Sequence, residues 1–296
     1  MESEYPQPLI ALPQRSHKQT FILLHGRGSS ASKFGPPLLA TQIPGVGTLP
    51  EAFPHAKFVV LTASRRRAAI YKRTAINQWF DNWSLNKPDE RQELQIDGLR
   101  QSSAFIHEII REEAEFVGGT SNVVLGGLSQ GCAASLIALL LWDGDPLAAT
   151  FGMCGWLPFE KEMGDVAQGT GDHLDDVVEG EDYNPFENSD ANDEDEDNTV
   201  APTDDVRAVM HLRNELGRPG TKLPTTAFSF QKTPIFLGHG KEDEKVSVRL
   251  GRAATLRLQS IGGIVQWEEY EDLGHWYSPN MLLDLVEFVK GHTAWE

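Results

Sequence analysis

"LGGLSQGCAAS" (residues 125–135) places one serine between two glycine positions, directly after the apolar run Val123-Val124-Leu125. A turn that only reverses the chain draws on Asn, Asp or Pro. Here Gly127 and Gly131 sit two residues before and two after Ser129, the G-x-S-x-G spacing of a nucleophile elbow. In such a turn the serine adopts a strained backbone conformation, and its neighbours must lack side chains for the chain to close. A strand ending at the serine and a small-residue helix following it complete the pattern.

Outward from this point the chain alternates. Short apolar stretches bounded by turn residues predict strands over 21–24, 58–62, 122–125, 150–154, 235–237 and 264–270. Helical spacing of apolar residues covers 95–116, 129–141, 205–216, 246–260 and 278–290. Strands alternating with helices specify an α/β fold with a mostly parallel central sheet and helices on both faces. The 296 residues are read as a single domain with an acidic, disordered insertion at about 164–200.

Composition narrows the function. The net charge of −17 lacks the basic footprint that nucleic-acid binding needs, so no nucleic-acid partner is expected. The stretch 172–197 holds thirteen Asp or Glu and no Lys or Arg, which leaves the remainder at only −4. A calcium loop there fails on spacing, because the sixth position from Asp190 is Asp195 rather than Gly and the twelfth is Ala201 rather than Glu. Two cysteines, Cys132 and Cys154, both in apolar stretches, fit a reducing compartment. With no leader-like segment, membrane span or lipidation motif in view, the expectation is a cytoplasmic protein without a stable membrane anchor. The sequon Asn82-Trp83-Ser84 then carries no meaning.

A serine nucleophile needs a histidine base, an acid to orient it and an oxyanion hole. In this arrangement the acid and then the histidine follow the serine in the chain. His275, in the loop "EDLGHWY" after the last strand, is the candidate base; Asp243, in "GHGKEDEKV" one crossover earlier, is the candidate acid. The alternatives are His239 as base, and Asp272 or Glu242 as acid. Backbone N–H groups of the turn His25-Gly26-Arg27-Gly28, with that of Gln130, are candidates for the hole. Trp79, Phe80, Trp83, Leu157, Pro158, Leu273 and Trp276 lie in loops expected to ring the serine as an apolar acyl pocket. Arg65, Arg66, Arg67, Lys72 and Arg73 form a basic rim beside it.

Six of these stretches resemble the acyl-protein thioesterase family, the phospholipase/carboxylesterase group of α/β-hydrolases. They are "LLHGRGSS", "NQWFDNWS", "GGLSQGCAAS", "CGWLPF", "GHGKEDEKV" and "YEDLGH", in the family's order from about Phe21 to Val289. The resemblance implies an α/β-hydrolase fold, a Ser129–Asp243–His275 triad and a hole made by the N–H groups of Arg27 and Gln130. It implies cleavage of carboxylic esters or thioesters, fatty-acyl cysteine included, with no cofactor and no metal. The chain departs from the family at Arg27, usually a Leu-like position, at Ser29, often Asp, and at Glu244, usually Pro. The other readings are a small-molecule esterase or lactone hydrolase with the same residues, and a non-catalytic scaffold binding basic partners through its acidic loop. The oligomeric state, homodimer included, stays open.

Overall fold

Six consecutive buried residues in each of three strands set the centre of the molecule. The computed structural model describes residues 5–169, 203–217 and 228–295. Nine strands appear among them: β1 (Leu9–Ala11), β2 (Gln19–Leu24), β3 (Ala56–Leu61), β4 (Arg65–Ala68), β5 (Thr74–Asn77), β6 (Val123–Leu128), β7 (Ala149–Met153), β8 (Ile235–Gly240) and β9 (Val265–Tyr270). The helices are α1 (Ala31–Ala40), α2 (Leu49–Ala52), α3 (Glu93–Val117), α4 (Gln130–Leu140), α5 (Glu160–Ala167), α6 (Asp204–Glu215), α7 (Val248–Ser260) and α8 (Pro279–His292). Seven strands form one sheet in the order β1-β3-β2-β6-β7-β8-β9. All neighbours pair in parallel except β1, which runs antiparallel to β3.

The period-two alternation of strands divides the core into two layers. Ile22, Leu24, Val59, Leu61 and Leu125 face one way, against α3, α4, α6 and α7. Phe21, Leu23, Phe58, Val60, Val124 and Phe151 face the other, against α1, α2 and α8. Strands covered on both sides must be apolar throughout, and β2, β6 and β8 are buried along their full length. Helix α4, buried at every position, passes beneath the sheet.

The expected architecture is the observed one, with local corrections. Residues 164–167, counted with the expected insertion, belong to α5, which continues to Ala167 with Met163 and Val166 buried. The acidic run itself lies outside the described residues. Helix α1 follows the His25–Gly28 turn, although Pro36-Pro37 sits inside it and obscures its length in the sequence. Burial of Phe34 and Leu38 against the sheet outweighs the lost hydrogen bonds. The basic rim folds as an antiparallel hairpin of β4 and β5. Arg66 turns inward there, donating to Gln101 Oε1 at 2.8 Å, while Arg65, Arg67, Lys72 and Arg73 stay exposed.

Candidate active site

Ser129 links β6 to α4 with φ 59° and ψ −119°, a conformation that L-residues rarely adopt. The glycines around it are required by contact. A Cβ on Gly131 would lie 2.3 Å from the Leu24 carbonyl oxygen, and one on Gly127 would lie 2.5 Å from the Gly131 carbonyl carbon. The turn thus closes against the end of β2, and the serine N–H is held by Met153 O of β7 at 2.8 Å. Two neighbouring strands fix the one strained residue.

Strand β8 delivers Asp243 and the turn after β9 delivers His275, both to the carboxyl edge where β6 ends. His275 Nε2 lies 2.9 Å from Ser129 Oγ, and its Nδ1 lies 2.7 Å from Asp243 Oδ2. Asp243 Oδ1 accepts from the N–H groups of Lys245 and Val246, both at 2.9 Å. Burial alone would push this carboxyl up. The donors from His239, His275 and Val246 outweigh that and hold it well below the usual carboxylate range. An ionised Asp243 requires the proton on His275 Nδ1, which leaves Nε2 bare to accept from the serine hydroxyl.

The rival residues are otherwise engaged. His239 is buried, and its Nε2–H points at Val246 O (2.9 Å) and Asp243 Oδ2 (3.2 Å), so it supports the acid from behind. Glu242 accepts from the Leu273 N–H at 2.8 Å and braces the histidine loop. Asp272 is an exposed residue of the turn, with φ 52°. Cys154, His239 and Asp243 bring donor atoms within 4.8 Å of one another, the only such group among the described residues. Two of the three are engaged in this arrangement, while His239 Nδ1 has no hydrogen-bond partner. Asp243 is saturated with donors, and the Cys154 thiol, raised to about 12 chiefly by burial, donates to Trp276 O at 3.3 Å.

The turn after β2 lies directly on the serine: a Cβ on Gly26 would be 3.3 Å from Ser129 Cβ. His25, wholly buried, shapes this turn. Its Nε2 accepts from the Ala63 N–H (3.1 Å), so Nδ1 carries the proton and donates to Gly26 O at 2.7 Å. Gln130 is the first residue of α4, where a backbone N–H has no intrahelical acceptor and the helix dipole is positive.

The residues expected to form the acyl pocket take different positions. Trp79 and Phe80 are fully buried. The Trp79 indole N–H donates to His25 O at 2.8 Å, and Phe80 meets Trp156 edge to face, so both support the site from beneath. Trp83 is half-buried under Arg91, and Trp276, stacked on Tyr277, is 46% exposed. Leu273 is half-buried in the histidine loop, and Leu157 and Pro158 are buried. A groove of about 200 Å³ opens beside Trp156, Leu157 and Phe159, and Ser129 is not among the residues lining it. Sequence reasoning also missed Asn82, a buried residue that accepts from both Arg27 and Gln130. Its place in a matching motif was the available signal.

Comparison with known proteins bears on this geometry. The model of the phospholipase/carboxylesterase family of α/β-hydrolases matches residues 6–174 and 216–293. The chain belongs to that family. It is therefore a carboxylic ester or thioester hydrolase. Acyl-protein thioesterase 1 of Gibberella zeae is 22% identical, over 98% of this chain and 97% of that protein. The protein of the same name from Candida albicans is 24% identical over 93% and 92%. Among solved structures, acyl-protein thioesterase 2 of Zea mays superposes with a TM-score of 0.66 at 20% identity, covering 97% of this chain and 99% of that one. SOBER1 of Arabidopsis thaliana gives 0.63 at 20% identity, over 93% and 98%. At that identity the structural likeness speaks for the fold alone. Among the described residues no helix is long and apolar enough to cross a membrane.

Proposed function

We propose that the chain hydrolyses acyl esters and thioesters through an acyl-enzyme on Ser129, with His275 as general base and acid and Asp243 as its orienting partner. The observation that carries this reading is the continuous contact from Asp243 through His275 to Ser129 Oγ, at 2.7 and 2.9 Å. His275 Nε2 removes the serine proton as Oγ attacks the acyl carbon, and the imidazolium is stabilised by the ionised Asp243. Collapse of the tetrahedral intermediate expels the alcohol or thiol, which takes the proton from His275. Water, deprotonated by the same nitrogen, then releases the acid. The N–H groups of Arg27 and Gln130 carry the negative oxygen in both intermediates. No cofactor enters the scheme. A thioester-linked acyl group on a protein is the substrate favoured by the relatives' names; the cytoplasm is the compartment that goes with this reading.

Fluorophosphonate labelling and a panel of p-nitrophenyl esters and acyl thioesters of increasing chain length test the reading. Labelling confined to Ser129, abolished in Ser129→Ala together with turnover, is the expected result. Persistent turnover or labelling in Ser129→Ala would overturn it.

A further inference from the structure

Asn82 stands where two arms of the site meet. The side chain is fully buried, and its Oδ1 accepts from Arg27 Nη1 at 3.0 Å and from Gln130 Nε2 at 3.3 Å. Those are the two residues whose backbone N–H groups are assigned above to the oxyanion hole. One comes from the turn after β2 and the other from the head of α4, 103 positions along the chain. The hole is therefore built from two separate segments, and its width depends on what fixes one against the other. Backbone hydrogen bonds of the sheet stop short of both residues.

We propose that Asn82 is a positioning residue that sets the oxyanion hole by clamping Arg27 and Gln130 to a single oxygen. The clamp is itself anchored. Asn82 Nδ2 donates to Ser84 O at 3.1 Å, which fixes which amide atom faces the two donors. Gln130 holds the same loop at two further points, accepting from the Trp79 N–H (3.0 Å) and donating to Phe80 O (2.8 Å). Arg27 completes the other arm by donating to Tyr71 Oη at 3.3 Å, with its guanidinium over the Tyr71 ring at 5.3 Å. A Leu-like residue at position 27 has no donor for Asn82, so the clamp belongs to the chain's departure at that position. The burial of Asn82 also removes it from any modification at the sequon. Hole donors act on the oxyanion and not on the ground-state carbonyl, so loosening them changes kcat and leaves KM in place.

The proposal rests on the acyl-enzyme reading, and its test keeps the two apart. Turnover is expressed per serine titrated with fluorophosphonate, so misfolded protein does not count. Affinity for an acyl trifluoromethyl ketone, which forms an oxyanion on Ser129, is measured beside it. Outright loss of one hole donor costs about 10²–10³-fold, so Asn82→Ala, which loosens both, is expected to lower kcat about tenfold. Ketone affinity should fall by a similar factor, with KM unchanged. Asn82→Asp, which keeps an acceptor for both arms, should stay within about threefold of the parent. Arg27→Leu removes one arm at a half-buried position without opening the core. It should lower kcat and ketone affinity together, and add less than multiplicatively to Asn82→Ala. Unchanged kcat and ketone affinity per titrated serine in Arg27→Leu or Asn82→Ala would overturn the clamp while leaving the acyl-enzyme intact. Failure of the parent enzyme to titrate at Ser129 would remove both readings.

Discussion

Asp272 lies three residues from His275 and Asp243 lies 32 away, yet only Asp243 meets the imidazole. Asp243 Oδ2 is 2.7 Å from Nδ1, while Asp272 is exposed on the turn. Asp243→Asn would present an amide to Nδ1 and favour the wrong tautomer. It should lower turnover about 10²–10⁴-fold with the fold retained. Asp272→Asn should stay within about threefold. Steady-state kinetics on both variants decide the matter, and a reversed order of severity would reassign the acid. Glycines offer a second contrast. A Cβ at Gly131 meets the Leu24 carbonyl oxygen at 2.3 Å, whereas one at Gly291, in the last turn of α8, meets nothing within 4 Å. Gly131→Ala should cost about 2 kcal/mol or more and displace the turn that ends β2. Gly291→Ala should be neutral or stabilise by up to about 1 kcal/mol. Thermal denaturation of the pair checks both values, and equal midpoints would refute the steric account of the elbow.

At the scale of elements, the turn after β2 carries a charge-sensitive brace. Burial pushes His25 down to about 4, with the bond to Gly26 offsetting only part of this. An imidazole in the unfolded chain titrates near 6.5. Between those values the unfolded chain binds a proton that the folded chain refuses, so acid favours unfolding. The contribution is complete above pH 6.5, erodes as pH falls toward 4, and amounts to about 3 kcal/mol at most. His25→Gln should lower stability at neutral pH and flatten its decline between pH 6.5 and 4.5, measured by urea midpoints at each pH. A slope unchanged by the substitution would assign the decline to other groups. This turn also shows what the sequence discloses. The His-Gly-x-Gly stretch, the elbow and the loops of Asp243 and His275 are legible because each needs particular residues at fixed spacing after a strand. The hairpin of β4 and β5 was not legible. Its strands, "RRRA" and "TAIN", are four residues each, and no apolar alternation marks them. Trp79 and Phe80 stay ambiguous in the sequence for a related reason. An aromatic in a loop near the serine has the same sequence signature whether its ring lines the site or lies under it, and only the contact with His25 and Trp156 separates the two.

Across the whole molecule, the groups proposed to react are carried by elements of unequal security. Ser129 sits between β6 and α4, both buried at every residue. Asp243 follows β8, also wholly buried. His275 depends on β9, which forms the edge of the sheet and is only partly covered along its length. Edge elements with less buried apolar surface open at lower free energy than the core they pack on. The histidine loop has further ties, from Glu242 Oε2 to the Leu273 N–H at 2.8 Å and from the Cys154 thiol to Trp276 O at 3.3 Å, but these are single side-chain contacts and not strand pairing. Rising urea should therefore displace His275 before the sheet melts. Ester hydrolysis is expected to fall at urea concentrations where far-UV circular dichroism still reports the folded sheet, and to recover on dilution. Amide hydrogen exchange should show the amides of β9 and the turn to His275 opening earlier than those of β6. Coincident loss of activity and ellipticity, with uniform protection of β6 and β9, would mean that the edge strand melts only with the whole sheet.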